Sequence, residues 1–174
     1  MARKIYIAIS AFLAFILQGT FMKGIAISGI TANLILATTC ICGFINGRKA
    51  GMLVGFFCGL MTDLFFGSFI GFYSLIFTYL GYINGYYHKI FFPEDIKFPL
   101  ILVTLSDLSY GIIVYLVMFL LRGRFDFPFY FVSVILPELI YTVLITVAIY
   151  PLHLKIHSIL TKHETRRAHS VSKF

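Results

Sequence analysis

The sequence predicts an all-α membrane protein, a bundle of six transmembrane helices, and three observations predict it. Only 12% of the 174 residues are charged, 60% are hydrophobic, and the mean hydropathy is +0.94. An ordinary soluble domain carries about a quarter charged residues, and half that share cannot cover a globule of this size. The apolar residues fall into six long continuous runs, whereas strands of a membrane barrel alternate polar and apolar over roughly ten residues. The Lys and Arg residues lie between the runs and at the chain ends, where topology signals belong. Six spans of about 20 residues use roughly 120 positions. The expected organisation is therefore one membrane domain, 1–155, and a basic cytoplasmic tail, 156–174, disordered against anionic lipid headgroups.

The first run, Ile5 to Leu17, follows Arg3 and Lys4 in the manner of a signal peptide. No small-x-small cleavage site follows in Gln18–Lys23, so an uncleaved helix over about 5–22 is expected. The second span runs about 25–45 and the third about 50–66, divided by the turn Asn46–Lys49. A bend at Gly67–Ser68 leads to the fourth, about 69–87. Pro93-Glu94-Asp95 marks a loop, the fifth span runs about 98–121, and the sixth, after Arg122–Pro128, about 129–151. With the N-terminus in the cytoplasm, the inner segments hold Arg3, Lys4, Arg48, Lys49, Lys89, Lys97, Lys155, Lys162, Arg166, Arg167 and Lys173, which is eleven of the 14 basic residues. The outer segments hold Lys23, Arg122 and Arg124. The asymmetry places both termini inside, and it explains the +7 charge without nucleic acid.

Three carboxylates fall within spans: Asp63, Asp107 and Glu138. Acids in a bilayer are costly and usually face the protein interior or a cavity. Asp107 and Glu138 each lie nine residues into their helices, about 13 Å deep at 1.5 Å per residue, and Asp63 lies nearer the outer surface. No Lys or Arg shares the midplane depth, which favours the neutral acids. Asn33, Thr104, Ser106, Tyr110, Tyr141 and Thr142 are polar neighbours by depth. Two readings stand for the cluster of Asn33, Asp63, Asp107, Pro137, Glu138 and Tyr141. One is interhelical hydrogen bonding that fixes the bundle. The other is a cavity that takes a small ligand or relays protons. Pro137 frees the carbonyl four residues back, so a kink beside Glu138 suits either a packing bend or a cavity wall.

Glycine gives the clearest pattern. Gly43, Gly47, Gly51, Gly55 and Gly59 recur every fourth residue, and Asp63, Gly67 and Gly71 continue the step. Gly51, Gly55 and Gly59 form the coherent set on one face of the third helix, where small residues let backbones approach closely. Cys40, Cys42 and Cys58 match no metal or redox spacing and are expected to pack as small buried residues. His153 and His157 stand four apart, but no nearby carboxylate or cysteine completes a metal site, so both are expected at the interface. Gly-x-Ser-x-Gly, a phosphate-binding glycine loop and the signatures of intramembrane aspartyl and serine proteases are missing. No catalytic residue, metal or cofactor is expected.

The order and spacing of several motifs resemble a known family. They are Asn33-Leu34-Ile35-Leu36, the glycine series from Gly43 with Gly47-Arg48-Lys49-Ala50-Gly51, then Asp63, then Gly81-Tyr82 with Gly85, then Pro137-Glu138 with Tyr141, and Tyr150-Pro151-Leu152. Together they resemble the rod shape-determining protein MreD family over roughly 30–155. Ala32 departs from the pattern, in which a proline often precedes the Asn or Asp. The resemblance implies a non-enzymatic scaffold in the bacterial plasma membrane, working in cell-wall elongation. It implies an MreC-like partner and, through it, the MreB filament and RodA with a class B penicillin-binding protein. It also implies a fold similar to the S-components of energy-coupling-factor transporters, whose vitamin-binding role is the second reading. Against that reading, the chain has no Trp and short outer loops. An ion or proton carrier built on Asp107 and Glu138 is the third.

Overall fold

The computed structural model describes residues 2–20, 24, 29–67, 69–90, 96–120 and 126–171, with side chains described for 5–20 and then to 162. Six helices make up the described residues: α1 Ala2–Gly19, α2 Leu34–Asn46, α3 Arg48–Phe66, α4 Phe72–Tyr86, α5 Lys97–Phe119 and α6 Phe127–Val171. A 3₁₀ turn, Tyr87–Ile90, follows α4. Three helices are long and apolar enough to cross a bilayer: Arg48–Phe66, Lys97–Phe119 and α6 over Phe127–Lys162. Ile5–Gly19 and Leu34–Asn46 are shorter apolar helices. The protein is an all-α membrane protein.

The shortest of these, α2, is the centre. Every residue from Leu34 to Ile45 is buried, as suits a helix that is apolar all round. The other five helices surround it. Their outward faces carry large apolar side chains such as Phe57, Leu75, Leu105, Phe129 and Val132. In water such a surface would be a liability; against lipid it is the solvated face.

Glycine sets the tightest contact. α2 passes to α3 through the single residue Gly47, at φ +90°, a backbone conformation that only glycine adopts readily. A Cβ on Gly51 would strike the Gly81 carbonyl of α4, one on Gly55 the Phe77 carbonyl, and one on Gly59 the Ser74 backbone. Gly43 of α2 joins the same contact, its Cβ position lying 2.7 Å from the Gly81 oxygen and 3.4 Å from the Gly51 Cα. Three helices therefore meet backbone to backbone, where dispersion and close polar contact hold membrane helices together.

Three boundaries and one burial differ from the sequence reading. The second helix starts at Leu34, not near 25, with Asn33 as its N-cap: the Asn33 side chain accepts from the Leu36 N–H. Hydropathy sees the apolar residues before it and not the break. Residues 25–28 lie outside the described residues. The fourth helix starts at Phe72, after Gly71 at φ +99°. The sixth does not end at Pro151 but continues helical through Val171, so most of the segment expected to be a disordered tail is helix. A proline in mid-helix removes one hydrogen bond, and Leu154, Ile156 and Ile159 carry the helical pattern past it. His153, expected at the interface, is buried, edge-on to Tyr6 of α1.

Pro137 is accommodated by a wider turn. α6 begins as an α-turn, Phe127–Tyr130, passes through a π-turn, Phe131–Ile135, and resumes at Leu136, whose N–H reaches back to the Phe131 carbonyl. The π register absorbs the donor that Pro137 lacks. A second π-turn, Tyr115–Phe119, ends α5. Rings join this π-turn to the first turn of α6: Tyr115 lies 5.0 Å from Phe127 and 5.1 Å from Tyr130, and Phe119 lies 4.7 Å from Tyr130.

Candidate functional site: a cavity at the start of the central helix

Because α2 begins inside the bundle, its first N–H groups have no helical partner, and lipid offers none. Side chains from the flanking helices supply them. The Asn33 N–H donates to Thr142 Oγ1 at 3.0 Å, the Leu34 N–H to Gln18 Oε1 at 2.7 Å, and the Leu36 N–H to Asn33 Oδ1 at 3.1 Å. Gln18 also donates from Nε2 to the Ala32 carbonyl at 3.0 Å. One glutamine of α1 thus holds the backbone on both sides of Asn33, at Ala32 and Leu34, and one threonine of α6 holds the cap itself.

Asp63 does the same for α4. Its Oδ2 accepts the Gly71 and Ser74 N–H groups, each at 3.0 Å, and its Oδ1 accepts the Tyr73 N–H at 2.9 Å. A carboxylate at a helix N-terminus, facing three orphan donors and the positive end of the dipole, is well placed electrostatically. Asp63 is thereby fully engaged in folding the α3–α4 connection.

Asp107 stands on α5 and Glu138 on α6. The Asn33 side chain is within hydrogen-bonding reach of the Glu138 carboxyl, and the Thr142 hydroxyl is within reach of Asp107. Thr142 Oγ1 itself donates to the Glu138 carbonyl at 2.8 Å. Asp107 is 3% exposed, and its Oδ1 has no hydrogen-bond partner. Asn84 bonds Ser106 Oγ at 2.8 Å, which places a second polar pair between α4 and α5. Asn33, Asp107 and Glu138 are therefore neighbours, with Pro137 preceding Glu138 on α6. Asp63 belongs to a separate cap. No hydrogen bond joins Tyr141 to the group among the described residues; Thr142, the next residue, makes those contacts instead.

Between these elements lies a cavity of about 230 Å³. Gln18, Asn33, Thr62, Phe66, Tyr73, Phe77, Tyr110 and Glu138 are among the residues that line it. Every helix contributes. The cavity sits at the end of the bundle where α1 and α3 finish and α2 and α4 begin. Tyr110 stacks on Phe77 at 5.5 Å and stands 6.3 Å from Tyr73. Among the described residues no three His, Cys, Asp or Glu side chains are grouped to hold a metal ion.

Sequence reasoning missed Gln18, Asn84 and the glycines of α4 as structural parts. Gly81 and Gly85 carry the same four-residue spacing as the third-helix series and were readable as its partner. Gln18 and Asn84 were readable as amides inside apolar runs.

A family model for the rod shape-determining protein MreD matches residues 2–158. The chain belongs to the MreD family. The match covers all six helices except the last turns of α6, and it takes in the glycine contact, the Asp63 cap and the cavity. No curated protein and no solved structure matches the chain. Membership gives this membrane protein a role in rod shape determination.

Proposed function

We propose that this protein is an integral scaffold of the cell-wall elongation machinery in the plasma membrane. It holds rod shape by binding an MreC-like single-span protein and, through that partner, couples the MreB filament to RodA and a class B penicillin-binding protein. Family membership across 2–158 carries this reading. The geometry supports it. The interior is locked by backbone contacts among α2, α3 and α4, and the outer surface is mostly lipid-facing helix. Such a molecule offers helix faces to its neighbours, and between membrane helices specificity comes from close packing and a few polar contacts. The basic asymmetry supports cytoplasmic termini. Affinity capture of the tagged protein from detergent-solubilised membranes tests the proposal: an MreC-like protein should co-purify in a stable ratio, and capture without it counts against the scaffold.

A solute-binding S-component is the second reading, favoured by the cavity of about 230 Å³ that all six helices line. It expects recovery of a transporter's energising subunits and a growth defect cured by a nutrient.

A further inference from the structure

We propose that the cavity at the start of α2 binds an organic ammonium group, either of a small free amine or of an aminated lipid headgroup. At about 230 Å³ it has room for seven or eight water-sized groups at roughly 30 Å³ each. Its walls decide the chemistry. Most of the backbone donors that would attract an anion are taken by the protein's own oxygens. Asp63 fills the N-terminus of α4, and Gln18, Asn33 and Thr142 fill that of α2. Thr62 spends its hydroxyl on the Cys58 carbonyl at 2.9 Å.

What remains is aromatic and acidic. Phe66, Tyr73, Phe77 and Tyr110 present rings, and the Tyr73 and Tyr110 hydroxyls make no hydrogen bond among the described residues. Glu138 places a carboxyl among them. Behind it, Asp107 adds a second acid whose Oδ1 is buried and unpartnered. Among the described residues, no Lys, Arg or His lines the cavity. Rings within about 6 Å of a cation, joined by a carboxylate, form the arrangement that recognises amines and quaternary ammonium groups. Two acids at membrane depth call for balance, which a bound cation supplies.

The inference is independent of the scaffold reading, since partner capture and ligand binding are read separately. The test uses the full-length protein in detergent at neutral pH, titrated calorimetrically with choline and with ethanolamine against equal sodium chloride. A second arm measures thermal stability in nanodiscs of phosphatidylethanolamine against phosphatidylglycerol. Two variants accompany both arms: Glu138→Gln, and Phe66→Leu, which removes a ring that is half-exposed and leaves the core intact. Saturable choline or ethanolamine binding, weakened about tenfold or more in either variant, establishes a free amine as ligand. Stabilisation by phosphatidylethanolamine alone, lost in the variants, establishes the lipid headgroup. No response in either arm, or equal responses in wild type and both variants, overturns the proposal and leaves protonation as the means of balancing the acids.

Discussion

Gly51 on α3 and Gly81 on α4 face each other so closely that a Cβ built on either would run into the other's carbonyl. The relationship is reciprocal, and backbone lies on both sides. No rotamer change relieves it, so a larger residue must push two helices apart.

Gly51→Ala and Gly81→Ala should therefore destabilise the protein more than ordinary overpacking, which costs about 1–3 kcal/mol. Thermal unfolding in detergent should show a clear drop for both. Gly24→Ala, with nothing within 4 Å of its Cβ position, serves as the control. Equal unfolding temperatures in all three would contradict the close approach of α3 and α4.

Asp63→Ala leaves the N–H groups of Gly71, Tyr73 and Ser74 without their acceptor. Loss of a cap costs about 0.5–2 kcal/mol, and the buried setting pushes the cost to the upper part of that range or above it. Asp63→Asn keeps one acceptor oxygen and should fall between wild type and Asp63→Ala. Limited proteolysis at the α3–α4 connection reads the effect directly, and unchanged cleavage in Asp63→Ala would remove Asp63 from its capping role.

Thr142→Val keeps the volume and removes the oxygen that receives the Asn33 N–H. An orphaned buried donor costs about 1–3 kcal/mol. Thr146→Val loses only a bond to its own helix, at the Thr142 carbonyl, and should cost less. The order of the two unfolding temperatures checks this, and a reversed order would contradict the support that α6 gives to α2.

Asp107→Asn should leave the protein folded and its shape role intact. The unpartnered Oδ1 gives no bond to lose, and an amide keeps the volume beside Thr142. Complementation of a depleted strain measures it. A folded but inactive Asp107→Asn protein would revive the proton-carrier reading.

The six-helix layout was legible because lipid demands long uninterrupted apolar runs. The glycine face was legible because its spacing matches the helix. The start of α2 was not. Ile25, Ala26, Ile27 and Ile30 keep the hydropathy high up to the break, and what breaks the helix is conformational: Gly29 at φ +82° and the Asn33 cap. The role of Asp63 was hidden because the N–H donors it accepts from lie eight to eleven residues on, at the start of another helix. Depth arithmetic set Asp107 and Glu138 at one level, and it also admitted Tyr141, one residue from the Thr142 that makes the contacts. The helical stretch past Pro151 was missed because a proline reads as a stop, while a long helix tolerates one lost bond.

The central claim is a shape-determining scaffold, and cell morphology tests it most directly. Width and length should be measured in a rod-shaped host depleted of this protein, with and without nutrient supplementation. The account predicts rounded, swollen cells with misplaced wall synthesis, restored by re-expressing the protein and unaffected by the supplement. Cells that stay rod-shaped, or rounding that the supplement cures, would contradict it.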